Sequence, residues 1–135
     1  MCGIVGVIAK EETGKSNFSQ LKSAVNALYH RGPDANGVFI HNNIGLGHAR
    51  LSIIDTSKEA NQPLTSENGR YVLSFNGEIY NYKNLKKTLV NKGYNFTTSS
   101  DTEVLLNHLI EFGEKGINDL NGFFGFAFYD KAEER

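Results

Sequence analysis

The sequence predicts an α+β fold built in layers, with mainly antiparallel sheet. Strand-like and helix-like segments come in clusters instead of alternating one by one, which argues against a doubly wound parallel sheet. Two short apolar runs flank the tripeptide HNN, as in a hairpin. At 135 residues the chain is long enough for one buried core and short for two, so one domain is expected.

Residues 4–9 are apolar and are followed by the charged stretch 10–15, a pattern that predicts a first strand and then a turn. From Ser19 onward, Leu21, Ala24, Val25 and Leu28 recur at i, i+3, i+4 and i+7, predicting a helix with Ser19 as N-cap that stops near His30. Residues 38–40 and 44–46 form the hairpin strands, because asparagine tolerates the positive φ of a tight turn. A polar loop spans 61–70. Residues 71–77 then alternate with the period of a half-buried strand, which delivers Asn76 and Gly77 to its end.

Tyr82, Leu85 and Leu89 mark one face of a helix that begins at Asn81 and stops at Gly93. The tetrapeptide SDTE at 100–103 has the capping-box pattern, and Val104, Leu105, His108, Leu109 and Phe112 continue a helical face up to Gly113. The aromatic run FFGFAFYD at 123–130, with Phe124, Phe126 and Phe128 on one side, is expected to be a central strand with its aromatics in the core.

Fourteen Lys and Arg balance fifteen Asp and Glu, so no long-range field draws the protein to nucleic acid or to an anionic membrane. No apolar run approaches the roughly 20 residues that cross a bilayer. Gly3 and Gly6 and the charges Lys10, Glu11 and Glu12 argue against a signal peptide. The single cysteine cannot make an internal disulfide, which points to a cytoplasmic protein. The four histidines show no ligand spacing, and no metal site is expected.

That cysteine is Cys2. If Met1 is removed, the thiol acquires its own α-amine, whose pKa of roughly 7.7–8.0 suits a general base near neutral pH. Attack on a carboxamide also needs an oxyanion site. The side-chain amide of Asn76 and the backbone N–H of Gly77 are the right donor types, each worth about 2.7–4 kcal/mol. Each of these residues has a plainer use as well. A cysteine at position 2 is commonly an inert small hydrophobe, and Asn-Gly is commonly a turn. Arg50 is of a type most often found as a surface charge, and Asp101 suits the first turn of a helix.

The segments MCGIVGV, RGPD at 31–34, HARLSIID at 48–55, NGEIYN at 76–81 and SDTEVLL at 100–106 occur together in one order and at one set of spacings. They resemble the class II glutamine amidotransferase domain of the glutamine-hydrolysing asparagine synthetases, and FFGFAFYD resembles the motif that follows in that family. The sugar-phosphate branch of class II enzymes typically has tryptophan after the equivalent of Arg50, and this chain has none.

The resemblance implies an N-terminal-nucleophile hydrolase fold, a four-layer αββα sandwich of two mainly antiparallel sheets. It implies that residues 1–135 are a glutaminase domain incomplete at its C-terminal end, since the family continues into further strands. Position by position, it implies that Cys2 attacks the side-chain amide of L-glutamine, giving a γ-glutamyl thioester and ammonia, with Asn76 and Gly77 as the oxyanion site. Arg50 would hold the substrate α-carboxylate, Asp101 the α-ammonium with Glu78 as a second acidic partner, and Leu51, Ser52, Ile53 and Ile54 would line the pocket with backbone groups. Arg31 and Asp34 are read as bracing the site or as making a structural ion pair or turn, and stay off the catalytic list. Ser99 stands where the family more often has glycine, which is expected to shift Asp101 slightly.

No cofactor is expected in this chain. ATP and Mg belong to a synthetase domain that these residues do not include and that would receive the ammonia and pass it to aspartate. A second copy of the chain is a further candidate partner. Two alternatives remain at this stage: an amidotransferase half serving another acceptor, such as a sugar, or an inactive fragment acting as a binding module whose bare sheet edges invite pairing.

Overall fold

The computed structural model describes residues 2–53 and 55–135. Its strands form two three-stranded sheets with every pairing antiparallel. In the first, β1 (Gly3–Ile8) and β2 (Ala35–His41) flank β3 (Ile44–Arg50). In the second, β4 (Leu64–Thr65) and β6 (Gly122–Asp130) flank β5 (Tyr71–Ile79). Helix α1 (Leu21–Ala27) covers the outer face of the first sheet, burying Leu21 and Val25. Helices α2 (Tyr82–Asn91) and α3 (Asp101–Phe112) cover the second, where Leu85, Leu89, Val104, Leu105 and Leu109 pack on Leu73, Phe75 and Ile79.

Between the sheets a smaller core of Leu46, Val72 and Tyr129 excludes water. The layer order is therefore helix, sheet, sheet, helix, the αββα sandwich expected from the resemblance. Asn42, at φ 48°, makes the β2–β3 turn, as the HNN signal indicated. Among the described residues no helix is long and apolar enough to cross a membrane.

Three local expectations are revised. The charged stretch after β1 is a 3-10 helix over Glu12–Gln20 that runs straight into α1, so Ser19 is not an N-cap and its hydroxyl donates to the Ser16 carbonyl at 2.7 Å. Strand β6 is at the edge of its sheet, not at the centre. Its aromatics are divided: Phe124, Phe126 and Phe128 pack against the helix-side core and Tyr129 enters the core between the sheets, while Phe123 is 43% exposed.

At the start of α3, Ser100 does cap the helix, accepting from the Thr102 N–H at 3.0 Å. Glu103, however, does not close a capping box on Ser100. Its buried carboxylate reaches further back and accepts from the N–H and hydroxyl of both Thr97 and Thr98, at 2.6–3.1 Å. The Thr98 hydroxyl in turn accepts from the Ser100 N–H at 3.3 Å. Four donors on one carboxylate fix the entry of the chain into α3. Glu103→Ala strands the buried Thr98 N–H and removes the acceptor of the exposed Thr97 N–H, and should lower the unfolding free energy by about 1–3 kcal/mol, measured by urea denaturation. Glu114→Ala on the exposed surface should stay within about 0.5 kcal/mol of the parent.

Candidate active site

The residue before β1, the loop after β3, the end of β5 and the start of α3 meet at one cleft, whose walls include Cys2, Arg50, Asn76, Gly77, Glu78 and Asp101. Residues separated by up to 121 positions in the chain, Cys2 and Phe123, are thereby brought to one place.

Cys2 is half-buried, and its Sγ accepts from the Leu51 N–H at 3.3 Å and faces the Leu51 carbonyl at 3.5 Å. The Cys2 carbonyl is gripped from the other side by Arg31 Nε at 3.0 Å. Asp34, from the same RGPD turn, accepts the Ser52 N–H at 2.7 Å and donates its own N–H to the Arg50 carbonyl at 3.0 Å. Gly32 sits so close to β3 that a Cβ there would lie 2.3 Å from the Ala49 carbonyl, so the turn can dock only as glycine. Among the described residues Arg31 and Asp34 make no ion pair with each other. Each holds backbone of the cleft, which makes RGPD the brace that the sequence reading kept as one option.

Arg50 is 6% exposed. Its guanidinium donates to the Ser57 carbonyl and to Asn61 Oδ1, both at 2.7 Å, and to the Asp55 carbonyl. It thereby organises residues 55–61 while still lining the cleft. Asp55 accepts from the Ser57 N–H at 2.8 Å and from the N–H and hydroxyl of Ser99 at 2.9 and 3.1 Å. Hydrogen bonds from Ser57, then Ser99, hold its carboxyl well below the usual carboxylate range. The hydroxyl of Ser99 is thus used to pin the 55–61 loop to the approach of α3.

Asp101 is 5% exposed and opens α3, with Oδ2 accepting from the Ile79 N–H at 3.1 Å. Burial pushes its pKa up, hydrogen bonds from the Ile79 and Thr102 backbone pull it back down, and the charge of Glu78 pushes it up further. Leu51 and Ile53 line the cleft, Ile53 with 62% of its surface exposed, while Ser52 gives its N–H to Asp34. Ile54, like Met1, lies outside the described residues.

Gly77 adopts φ +153°, and a Cβ there would come within 2.2 Å of the Phe123 carbonyl on β6. The β5–β6 strand pair leaves no space for a side chain at Gly77. The cleft also holds residues that sequence reasoning missed, above all Gln62 and Phe123. Gln62 sits in a loop without periodicity. Phe123 was expected in the core and instead faces the cleft, edge-on to Tyr80 at 6.1 Å. Among the described residues no group of three or more His, Cys, Asp or Glu side chains converges as a metal site would require.

A family profile described as the glutamine amidotransferase domain matches residues 1–135. Asparagine synthetase [glutamine-hydrolyzing] 1 of Bacillus subtilis is 42% identical, the match covering 98% of this chain and 21% of the relative. The maize asparagine synthetase [glutamine-hydrolyzing] is 38% identical, over 99% of this chain and 22% of its own, and asparagine synthetase B of Escherichia coli 37%, over 99% and 24%. The chain thus spans about a fifth to a quarter of the length of these relatives. Among solved structures, the glutamine phosphoribosylpyrophosphate amidotransferase of B. subtilis superposes with a TM-score of 0.72 at 25% identity, covering 97% of this chain and 35% of that one. The allosteric regulatory enzyme of purine biosynthesis superposes with a TM-score of 0.77 at 24% identity, over 97% and 36%, and shows the shared fold.

The glycine geometry makes a sharp contrast. Gly77→Ala must move β6 backbone or strain φ, and should cost more than about 2 kcal/mol in thermal or urea unfolding. Gly125→Ala, where a Cβ meets nothing within 4 Å, should stay within about 0.5 kcal/mol of the parent.

Proposed function

The chain belongs to the glutamine amidotransferase domain family, and from that membership we propose that it hydrolyses the side-chain amide of L-glutamine at Cys2 and supplies the ammonia to an asparagine-forming synthetase domain. The observation that carries this reading is the Cys2 thiol held on the Leu51 N–H in the same cleft as Asn76, Gly77, Arg50 and Asp101.

With Met1 removed, the Cys2 α-amine takes the thiol proton as Sγ attacks the amide carbon of glutamine. Negative charge developing on the carbonyl oxygen is met by the Asn76 side-chain amide and the Gly77 N–H. The protonated amine then returns its proton to the departing nitrogen, ammonia leaves, and a γ-glutamyl thioester remains on Cys2. Water, deprotonated by the same amine, breaks the thioester to give glutamate and restores the thiol.

Recognition of the amino-acid end follows from charge. A guanidinium carries five N–H donors, and three of those of Arg50 are spent on Asp55, Ser57 and Asn61. Two remain for an α-carboxylate, on a group the loop holds rigid. Asp101 keeps Oδ1 for an α-ammonium, with Glu78 beside it on the cleft wall. A bound ammonium offsets the burial that raises the Asp101 pKa. Leu51 and Ile53, with the backbone of 51–54, close the side of the pocket.

ATP and Mg act in the synthetase domain, where aspartate is activated, and none of the cleft residues serves them. The relatives' printed names support asparagine as the product over a sugar acceptor. A working thiolate needs a reducing compartment, which supports a cytoplasmic location.

Intact mass spectrometry with an electrophilic glutamine analogue tests the reading. The parent should have lost Met1 and gain a single adduct on Cys2 that glutamine suppresses, and Cys2→Ala should gain none and release ammonia at least about 10³-fold more slowly. Ammonia release from Cys2→Ala at the parental rate would overturn the proposal. Arg50→Lys, which loses the planar fork, should raise the KM for glutamine by about 10–100-fold with a smaller change in kcat.

A further inference from the structure

The backbone of Phe75, one residue before Asn76, is held by side chains at both its N–H and its carbonyl, in the two peptide groups that flank its Cα. Its N–H donates to Gln62 Oε1 at 2.6 Å, and its carbonyl accepts from His48 Nε2 at 3.0 Å. Strand β4 explains why side chains are needed. Its ladder with β5 begins at Leu64↔Leu73, and the residue before it, Pro63, has no N–H to offer. Without Gln62 and His48 the β5 edge would be bare at the point where it delivers Asn76 and Gly77.

Both holders are buried, and neither is a cheap way to fill space. His48 is fully buried on β3, and its Nδ1 has no partner among the described residues. Burial drops its pKa to about 4, with the Phe75 carbonyl pulling upward and the charge of Arg50 adding to the fall, so the ring is neutral at pH 7. A leucine or phenylalanine would pack there without the desolvation cost of a polar ring. Gln62 is buried on the cleft wall, and its Nε2 lies 3.4 Å from the Thr102 hydroxyl, next to Asp101, which fixes its amide oxygen on Phe75. The two residues therefore tie the end of β5 to two other parts of the cleft: the strand that ends in Arg50, and the first turn of α3.

We propose that His48 and Gln62 are positioning residues that clamp the Phe75 backbone at its carbonyl and its N–H and so set Asn76 against the Cys2 thiol. The proposal rests on the glutaminase reading above, because its kinetic effect is expressed through the Asn76 oxyanion contact. A carbonyl can only accept, so the clamp requires the His48 tautomer with hydrogen on Nε2. A displaced oxyanion donor slows the chemical step more than it weakens ground-state binding.

The test combines two readouts. Nitrogen NMR of the parent protein should show His48 as the Nε2–H tautomer with a bare Nδ1 at neutral pH; an Nδ1–H tautomer overturns the clamp without any variant. In glutamine hydrolysis, His48→Leu and Gln62→Met should each lower kcat by about 100-fold with KM within about threefold, as a misplacement near 1 Å would. His48→Gln, whose amide nitrogen takes the place of Nε2, should recover kcat to within about fivefold of the parent. Folded His48→Leu and Gln62→Met proteins with kcat within threefold of the parent overturn the proposal, as does a loss that His48→Gln does not relieve. If the variants fail to fold, the tautomer of the parent decides. A parent inactive on glutamine defeats the glutaminase reading alone, and the clamp is then decided by that tautomer together with the Asn76 side-chain amide resonance, which should move in His48→Leu and stay in place in His48→Gln.

Discussion

Strands β3 and β5 lie in different sheets, yet Ser74 Oγ lies 3.3 Å from the Gly47 carbonyl and His48 Nε2 lies 3.0 Å from the Phe75 carbonyl. Packed sheets ordinarily stand about 10 Å apart with only apolar side chains between them. Here fully buried polar side chains cross the gap, and the two strands are fixed relative to one another by directional bonds as well as by contact. Everything in the cleft depends on that crossing. Arg50 ends one of the strands and the run Asn76 to Glu78 ends the other, so their relative positions follow from the inter-sheet contact. A purely hydrophobic interface would leave more freedom to slide, because dispersion and area burial carry no direction.

The second constraint is charge. Arg50 and Asp101 are both more than nine-tenths buried, but neither is the other's hydrogen-bond partner. The guanidinium is held by loop carbonyls and an amide, and the carboxylate by a backbone N–H. Burying single charges is costly, and a direct ion pair would recover part of that cost at once. Keeping them apart leaves each with unused hydrogen-bonding capacity facing one space. In the proposed glutaminase reading a zwitterionic amino acid would satisfy both together, whereas a plain amine or a plain carboxylate would satisfy only one.

What was legible in the sequence is what periodicity and turn chemistry report: the faces of α2 and α3 and the strand that carries Asn76 from the first, the turn at Asn42 from the second. Periodicity fails where a residue acts through the backbone of a distant one. Arg31 reaches Cys2 across 29 positions and Asp34 reaches Ser52 across 18, and neither contact leaves a local pattern. Glu103 was placed in the right helix and given the wrong partner, because its spacing from Ser100 matches a capping box whether the side chain turns back to Ser100 or continues to Thr97 and Thr98. Phe123 was assigned to the core on aromatic content alone; alternation along β6 tells which side a residue is on, but not whether a cleft opens there. That Cys2, Arg50, Asn76, Gly77 and Asp101 belong to one site was legible in motif order, which carries information that no single spacing does.

Cys2 lies one residue outside the first ladder pair, Gly3↔Ala49, so the strand hydrogen bonds that order β1 do not reach it. Residues just beyond a sheet edge tend to fray, and ordering one costs about 1–2 kcal/mol of backbone entropy. Two bonds oppose that tendency. Arg31 holds the Cys2 carbonyl, and the Leu51 N–H holds its sulfur, the first with a charged donor and the second from backbone that Asp34 steadies one residue further on. Arg31 and Asp34 belong to one four-residue turn, RGPD, so Cys2 and the loop beside it are steadied from the same piece of chain. The close approach of Gly32 to Ala49 anchors that piece to the middle strand of the first sheet. The β3–β5 crossing then links that anchored strand to the one that carries Asn76.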